Sequence, residues 1–229
     1  MSFDPARVRA ICFDLDGTLN DADDAMVDRL ARWLPGHDHK LARRIVIGIE
    51  TPATWGFILL DRVGLSKPMM GLLNEYYRSR MNRKTTSYSA VPNTMDAVRA
   101  LAPHYKLAIV SSRWEATTLY FLDEHHIRSH FSCIATALTC KHTKPYPDPV
   151  LWVASQMGLR PDECIMVGDT TVDMLAGKAA GAQCVGVLCG FGTKGELLHA
   201  GADVILSSTA DIPELLGLGS AKNHMESEG

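Results

Sequence analysis

The chain has 229 residues, of which 46% are apolar and 21% are charged, and its formal net charge is −3 at pH 7. This composition is typical of a globular protein, and the small negative charge gives no reason to expect nucleic acid or an anionic membrane as a partner. No apolar run reaches the roughly 20 residues of a membrane-spanning helix, and the chain has neither a secretory signal pattern nor a CxxC pair. These features predict a cytoplasmic protein without a disulfide framework.

Short apolar runs alternate with helical patterns along most of the chain. The runs predict strands at residues 8–14, 106–112, 131–136, 163–169, 183–188 and 203–206. Most of them are apolar on both faces, which is typical of strands covered on two sides in a parallel sheet. The alternation therefore predicts a doubly wound α/β fold with a mostly parallel sheet and functional groups at the carboxyl ends of the strands.

One long segment, from Ala22 to Ser87, has helical patterns but no convincing strand. Prolines and glycines separate its helical stretches. The segment leaves the sheet directly after the first predicted strand and returns to it near Val91. We therefore predict a helical domain of residues 22–87 inserted into an α/β core domain of residues 1–21 and 88–229.

The first predicted strand ends in FDLDGT, residues 13–18. Side chains two positions apart on a strand point the same way, so Asp14 and Asp16 are expected to project together from its tip. Gly17 permits a sharp turn, after which backbone amides can face an anion. A DG turn that merely closes the strand explains the same residues, so the choice depends on the other strand ends.

Three other stretches place polar side chains at the same predicted edge. Ser111 ends the second strand and is either a hydroxyl donor or a helix cap. Lys144 lies in the proline-rich stretch KHTKPYPDP, which suits a fixed phosphate partner. Asp169 ends a later strand, and Asp173 follows in the first turn of a helix, where an acid also favours the helix dipole. Four carboxylates at one edge repel each other unless a cation is present, and oxygen ligands suit Mg²⁺.

The order and spacing of these residues resemble the haloacid dehalogenase superfamily, whose members are mostly Mg²⁺-dependent phosphatases. The matching motifs are DLDGT at 14–18, Ser111, Lys144 and GDTTVD at 168–173, and the resemblance covers nearly the whole chain. The stretches KPYPDP, AGKAAGAQCVGV and AGADVIL resemble the phosphoglycolate phosphatase-like subfamily, which includes pyrophosphatases. The inserted segment resembles a C1-type helical cap of that superfamily.

This resemblance implies a phosphoric monoester hydrolase that acts on a small phosphorylated metabolite through an aspartyl phosphate. Asp14 is then the nucleophile, and Asp16 is the general acid and base. The resemblance also implies that Mg²⁺ is held by the Asp14 side chain, the Asp16 backbone carbonyl and Asp169, with Asp173 in support. Phosphate contacts are expected at Gly17, Thr18, Ser111, Ser112 and Lys144. A monomer or a homodimer is expected.

Other members of the superfamily stay open as alternatives. A phosphomutase of the β-phosphoglucomutase type keeps all four motifs, and a pyrophosphatase is close to the same subfamily. A phosphonate hydrolase needs a lysine in the cap that forms a Schiff base, for which Lys40, Lys67 and Lys84 are available but are more typical of solvated helix faces. A dehalogenase fits less well, because it resembles this chain less at Asp16 and at the Mg²⁺ acids.

Substrate selectivity is expected from residues outside the four motifs. Arg113 directly follows the second motif and is a candidate contact for the substrate. Thr51, Thr54 and Trp55 of the inserted segment are further candidates, although Trp55 also fits packing between cap helices. Asn20 stands where an apolar residue is expected after DGTL.

Overall fold

Six parallel strands form one sheet in the part of the chain that the computed structural model describes, which is residues 3–21, 30–34 and 88–219. The strands are β1 (Ala10–Phe13), β2 (Lys106–Val110), β3 (Phe131–Ala135), β4 (Cys164–Gly168), β5 (Gln183–Val187) and β6 (Val204–Leu206). The predicted parallel α/β fold is therefore confirmed, with strand ends within two residues of the predicted ones. The prediction of a helical cap at residues 22–87 lies almost entirely outside the described residues.

Helices connect the strands. They are α1 (Thr94–Leu101), α2 (Glu115–Glu124), α3 (Asp148–Gln156), α4 (Thr171–Ala180), α5 (Lys194–His199) and α6 (Ile212–Leu215). Short 3-10 turns lie at Pro5–Arg7, Arg128–His130, Pro161–Glu163 and Thr209–Asp211. No helix within the described ranges is long and apolar enough to cross a membrane.

The strand order is β3-β2-β1-β4-β5-β6. The chain therefore builds outward from β1 on one side and then switches to β4 on the other side. In a doubly wound sheet the crevice at such a switch, outside the carboxyl ends of the strands, is the usual place for a ligand. A ligand site is therefore expected beside the residues that follow β1 and β4.

Both faces of the sheet are buried, as the apolar strands predicted. Ile11 and Phe13 of β1 pack into one cluster, while Ala10 and Cys12 pack into a second cluster on the opposite face. Phe13 also meets Phe131 edge to face, with ring centroids 6.4 Å apart. The six cysteines are free thiols, and three of them, Cys12, Cys164 and Cys184, are buried in the core. This two-sided core holds β1 and β4 in register and so sets the positions of the groups at their ends.

The two connections to the predicted insertion are bonded to each other. The Asp21 amide donates to the Ser89 carbonyl at 2.7 Å, and the Val91 amide donates to the Leu19 carbonyl at 2.9 Å. Between these bonds, Asn20 forms an isolated antiparallel bridge with Ala90. Residues 19–21 and 89–91, the predicted connections, therefore lie side by side next to the end of β1.

Candidate active site

Asp14 and Asp169 follow two neighbouring strands at the switch point of the sheet. Phe13 is in register with Val167, and the Asp14 amide donates to the Val167 carbonyl at 2.8 Å. The β1–β4 ladder therefore continues one residue past β1, and Asp169 emerges beside Asp14. Both side chains are buried. The close approach of these two acids results directly from parallel pairing in this register.

Lys144 lies between two of the predicted acids. Its ammonium nitrogen is 2.5 Å from Asp14 Oδ1 and 2.6 Å from Asp173 Oδ1. The Lys144 side chain is only 4% exposed, so little water separates these charges. The proline-rich loop before α3 thus delivers a buried cation to the acids that follow β1 and β4.

The environment of the cluster changes the pKa values of its members. Burial, assisted by Asp173 and Asp16, raises the pKa of Asp14 to about 7, although Lys144 acts in the opposite direction. For Lys144 burial opposes the charged form, but the two contacting carboxylates outweigh it and raise its pKa. Burial and the same neighbouring carboxylates also raise the pKa of Asp169. The cluster therefore has an excess of negative charge that a cation would stabilise.

Asp169 is held by groups from two separate parts of the chain. The Thr18 hydroxyl donates to its Oδ1 at 3.1 Å, and the Phe191 amide donates to its Oδ2 at 2.9 Å. Gly17 and Gly190 lie so close that a Cβ on either would approach Asp169 Oδ2 to 2.3 Å and 2.1 Å. The carboxylate is therefore enclosed by backbone, and side chains at these glycines would displace it.

The contacts of Gly190 and Phe191 were missed in the sequence analysis. The signal that indicates them is the stretch CGFG at 189–192, which directly follows β5 and so lies at the same edge of the sheet. A glycine pair at that edge permits close backbone approach to an anionic group. The stretch therefore belongs with the four predicted motifs as a fifth part of the site.

Asp173 has both of its predicted roles, because it caps a helix and also contacts the charged cluster. Its Oδ2 accepts from the Thr170 amide at 3.0 Å and from the Thr170 hydroxyl at 2.5 Å, so it caps α4. Its Oδ1 accepts from Lys144. Gly168 is required beside it, because a Cβ there would lie 2.3 Å from Asp173 Cγ. The helix-capping hydrogen bonds thus fix Oδ2 of Asp173, while Oδ1 contacts Lys144 in the cluster.

Three of these acids can share a cation. One carboxylate oxygen from each of Asp14, Asp169 and Asp173 lies within 4.8 Å of the other two, and all three residues are buried. The donor set consists of oxygen alone, which suits a hard divalent cation such as Mg²⁺. The pKa values of Asp14 and Asp169 are raised, which indicates that the buried cluster lacks positive charge. This also supports a cation site.

Asp16 lies beside this cluster in a different environment. Its side chain is 33% exposed, and its Oδ1 accepts from the Asn20 side-chain amide at 2.7 Å. Arg113 Nη1 lies 3.0 Å from the same oxygen, and the Arg113 guanidinium stacks 4.8 Å above the Tyr88 ring. The two acids of DLDGT therefore contact different cations, Lys144 for Asp14 and Arg113 for Asp16.

Residues 11–187 match the family described as Haloacid dehalogenase-like hydrolase. The chain belongs to that family. A phosphoglycolate phosphatase of Photorhabdus laumondii is 30% identical, over 94% of this chain and 95% of the relative. Pyrophosphatase PpaX of Bacillus velezensis is 29% identical, over 93% of this chain and 98% of the relative. The expectation of a hydrolase of this family, with phosphatases among its relatives, is confirmed.

A solved haloacid dehalogenase agrees with this chain in fold. The L-2-haloacid dehalogenase of Xanthobacter autotrophicus superposes with a TM-score of 0.67 at 17% identity, covering 93% of this chain and all of that one. At this level of identity the likeness concerns the fold alone. It supports the haloacid dehalogenase-like architecture of the six-stranded core.

For the other described residues predicted for this haloacid dehalogenase-like site, the structure gives their positions and some of their contacts. Gly17 adopts a positive φ of 74° and turns the chain after Asp16. Thr18 is fully buried, so its hydroxyl serves Asp169. Ser111 is buried at the end of β2 and its hydroxyl accepts from the Arg113 amide at 3.1 Å, whereas Ser112 is exposed. Their contacts with phosphate stay predictions. Thr51, Thr54 and Trp55 lie outside the described residues.

Proposed function

We propose that this hydrolase is a Mg²⁺-dependent phosphatase that cleaves a small-molecule phosphate monoester through an aspartyl phosphate on Asp14. The observation that carries the proposal is the contact of buried Asp14 with Lys144 beside two further buried acids. A carboxylate that is fixed beside a cation suits attack on an anionic phosphoryl group. The names of the two relatives support the same reaction class.

In the first step, Asp14 attacks phosphorus while the bond from phosphorus to the leaving oxygen breaks. Asp16 donates a proton to that oxygen, and the alcohol leaves. In the second step, Asp16 takes a proton from water, the water oxygen bonds to phosphorus, and the acyl phosphate bond to Asp14 breaks. Phosphate is released, Asp14 is restored as a carboxylate, and Asp16 is again protonated.

The neighbouring residues provide charge and orientation for both steps. Lys144 offsets the negative charge of the phosphoryl oxygens, and the Ser111 hydroxyl is a further donor to them. Asp14, Asp169 and the Asp16 carbonyl, with Asp173 in support, would hold Mg²⁺. When bound, Mg²⁺ would supply further positive charge to the transferred group. The carboxylates held by Thr18, Phe191 and Thr170 are already fixed in position, so little reorganisation is needed.

The substrate class is a small phosphorylated metabolite. A phosphoglycolate-like monoester is favoured by the relative at 30% identity, and pyrophosphate is the second candidate because a pyrophosphatase is 29% identical over a similar share of this chain. Arg113, at the edge of the cluster, is a candidate contact for the part of the substrate beyond phosphorus. We also expect a cytoplasmic monomer or homodimer.

The test measures phosphate release from a panel containing phosphoglycolate, pyrophosphate and sugar monophosphates, with Mg²⁺ and with chelator. Asp14→Asn keeps the shape of the side chain but removes its charge, so we expect kcat to fall by about four orders of magnitude or more. A folded Asp14→Asn protein that retains a tenth of wild-type kcat contradicts the covalent mechanism. Phosphate release without added sugar bisphosphate contradicts the phosphomutase alternative.

A further inference from the structure

Two groups converge on one oxygen of Asp16, since the Asn20 side-chain amide donates a hydrogen bond to it and Arg113 forms an ion pair with it. The Asn20 amide nitrogen lies 2.7 Å from Oδ1, and Arg113 Nη1 lies 3.0 Å from the same atom. Among the described residues, none donates a hydrogen bond to Asp16 Oδ2. One oxygen of the carboxyl group is therefore held, and the side chain as a whole is 33% exposed.

Packing does not explain Asn20. The residue is 1% exposed, and its side-chain Oδ1 has no hydrogen-bond partner among the described residues. A buried polar atom without a partner lowers stability relative to an apolar side chain of the same size. An apolar residue is also what the pattern after DGTL predicts. The amide group is thus a cost to the fold, and its one observed contact is with Asp16.

The backbone of Asn20 makes that contact rigid. Its carbonyl accepts from the Gly17 amide at 2.8 Å, and its own amide donates to the Leu15 carbonyl at 2.8 Å. The side chain therefore projects from a closed turn that begins and ends beside Asp16. Such a turn fixes the direction of the amide donor with little remaining freedom.

Arg113, which follows β2, contacts Asp16 from another part of the chain, and its side chain is anchored as well. Its guanidinium stacks on Tyr88, whose carbonyl contacts His125 Nε2 at 2.9 Å and whose ring meets Tyr120 edge to face. A planar guanidinium that is stacked on an aromatic ring loses much of its rotational freedom. Arg113 is therefore placed to hold Asp16 rather than to move freely in solvent.

We propose that Asn20 and Arg113 are positioning residues that orient Asp16 for proton transfer, with Oδ2 as the oxygen that carries the proton. This inference rests on the proposed function, because it assigns roles around the same acid. The hydrogen bond from Asn20 and the ion pair with Arg113 are both made with Oδ1, so a proton on this carboxyl group is expected on Oδ2. Loss of either contact lets the carboxyl group rotate and weakens proton transfer without removing the nucleophile.

The test compares two substrates that need the general acid to different extents. An alkyl phosphate has a poor leaving group and requires protonation, whereas p-nitrophenyl phosphate has a good leaving group and does not. For Asn20→Leu and Arg113→Met we expect kcat/KM for the alkyl phosphate to fall by about tenfold or more. For the aryl phosphate we expect Asn20→Leu to lower kcat/KM by less than about threefold. Nitrophenol should then appear in a burst, because the second step still needs Asp16 as a base.

Thr118→Val is the matched control. Thr118 is fully buried, its hydroxyl has no hydrogen-bond partner among the described residues, and it lies in α2. Like Asn20→Leu, Thr118→Val removes one polar atom without a partner while the shape of the side chain is kept. We expect kcat/KM to stay unchanged for both substrates. The double variant of Asn20 and Arg113 should be less impaired than the product of the two single effects, since both residues contact one oxygen.

Equal losses for the two substrates in folded variants, or no loss for the alkyl phosphate, overturn the inference. Thermal unfolding identifies variants that do not fold. If Asn20→Leu is one of them, Asn20→Ala carries the same comparison. Failure of the proposed function is a separate result, because it appears as wild-type protein without Mg²⁺-dependent phosphate release from any substrate.

Discussion

The ammonium nitrogen of Lys144 lies 2.5 Å from Oδ1 of Asp14, and the two residues are separated by 130 positions in the chain. Their contact joins the end of β1 to the loop before α3 in a buried setting. A buried ion pair of this kind contributes little net stability, because desolvation of both charges offsets their attraction. Its position at the switch point of the sheet instead favours a role in binding an anionic group.

Substitution of Lys144 is expected to impair every substrate alike. Lys144→Met keeps much of the side-chain volume but removes the charge that faces the phosphoryl group, so kcat should fall by about a hundredfold or more across the panel. Lys178→Met is the control, because Lys178 also forms a close ion pair with a partly buried acid, Asp203, at 2.5 Å. The control should lower Tm while leaving kcat near the wild-type value. A Lys144→Met protein that impairs only some esters contradicts a role at the common phosphoryl group.

Mg²⁺ binding and stability are expected to depend on pH. The pKa of Asp14 is raised from 3.8 to about 7 in the folded chain, so below the unfolded value its contribution to stability is fully present. That contribution is lost as the pH rises through about 7, and Tm in chelator should therefore decrease from about pH 5 to about pH 8. Mg²⁺ competes with the bound proton, so its affinity should increase over the same range.

Thermal unfolding in chelator and with increasing Mg²⁺ measures both quantities. The raised pKa of Asp169 acts in the same direction as that of Asp14. Stabilisation by Mg²⁺ that is independent of pH, or a Tm in chelator that increases from about pH 5 to about pH 8, contradicts the assignment. Full phosphatase activity in chelator contradicts the requirement for the metal.

A methyl group at Gly190 is expected to weaken the metal site. A Cβ there would lie 2.1 Å from Asp169 Oδ2 and 2.6 Å from the Gly17 carbonyl oxygen, so Gly190→Ala must displace the carboxylate or the loop. We expect Mg²⁺ affinity to fall by about tenfold or more, measured as the Mg²⁺ concentration that gives half-maximal stabilisation.

Gly195→Ala is the matched control for Gly190→Ala. Gly195 lies in α5, and a Cβ at this position would meet nothing within 4 Å. Alanine favours the helix by up to about 1 kcal/mol over glycine, so Tm should stay the same or increase and Mg²⁺ affinity should not change. Similar Mg²⁺ affinities for the two variants would contradict the enclosure of Asp169 by the 189–192 stretch.

Substitutions in the inserted segment are expected to change substrate preference. Trp55→Ala or Thr54→Ala should alter the ranking of phosphate esters, because the groups proposed to touch phosphorus lie in the core domain. Hydrolysis of a small aryl phosphate should fall by about tenfold or less, the effect of one lost contact worth about 1.4 kcal/mol. Steady-state kinetics on the substrate panel tests this, and an equal loss for all esters would count against the assigned division of roles.

The sequence was sufficient to predict the sheet and the edge at which the site lies. Strands covered on both faces are apolar throughout, so runs such as residues 164–168 are visible without any knowledge of their partners. The carboxyl ends of parallel strands meet at one edge, so polar residues at those ends could be grouped before their contacts were known. Asp14, Lys144 and Asp169 were grouped in this way, and the structure brings them together.

Only the tertiary structure decided which groups contact each acid. Asp14 and Asp16 look equivalent as alternate residues of one strand end, yet Asp14 is buried against Lys144 and Asp16 is half-exposed against Asn20 and Arg113. One of the two donors to Asp169 is the amide of Phe191, 22 residues later and beyond another strand. Hydrogen bonds and desolvation depend on distances between groups that are remote in sequence, and local residue patterns carry no information about such distances.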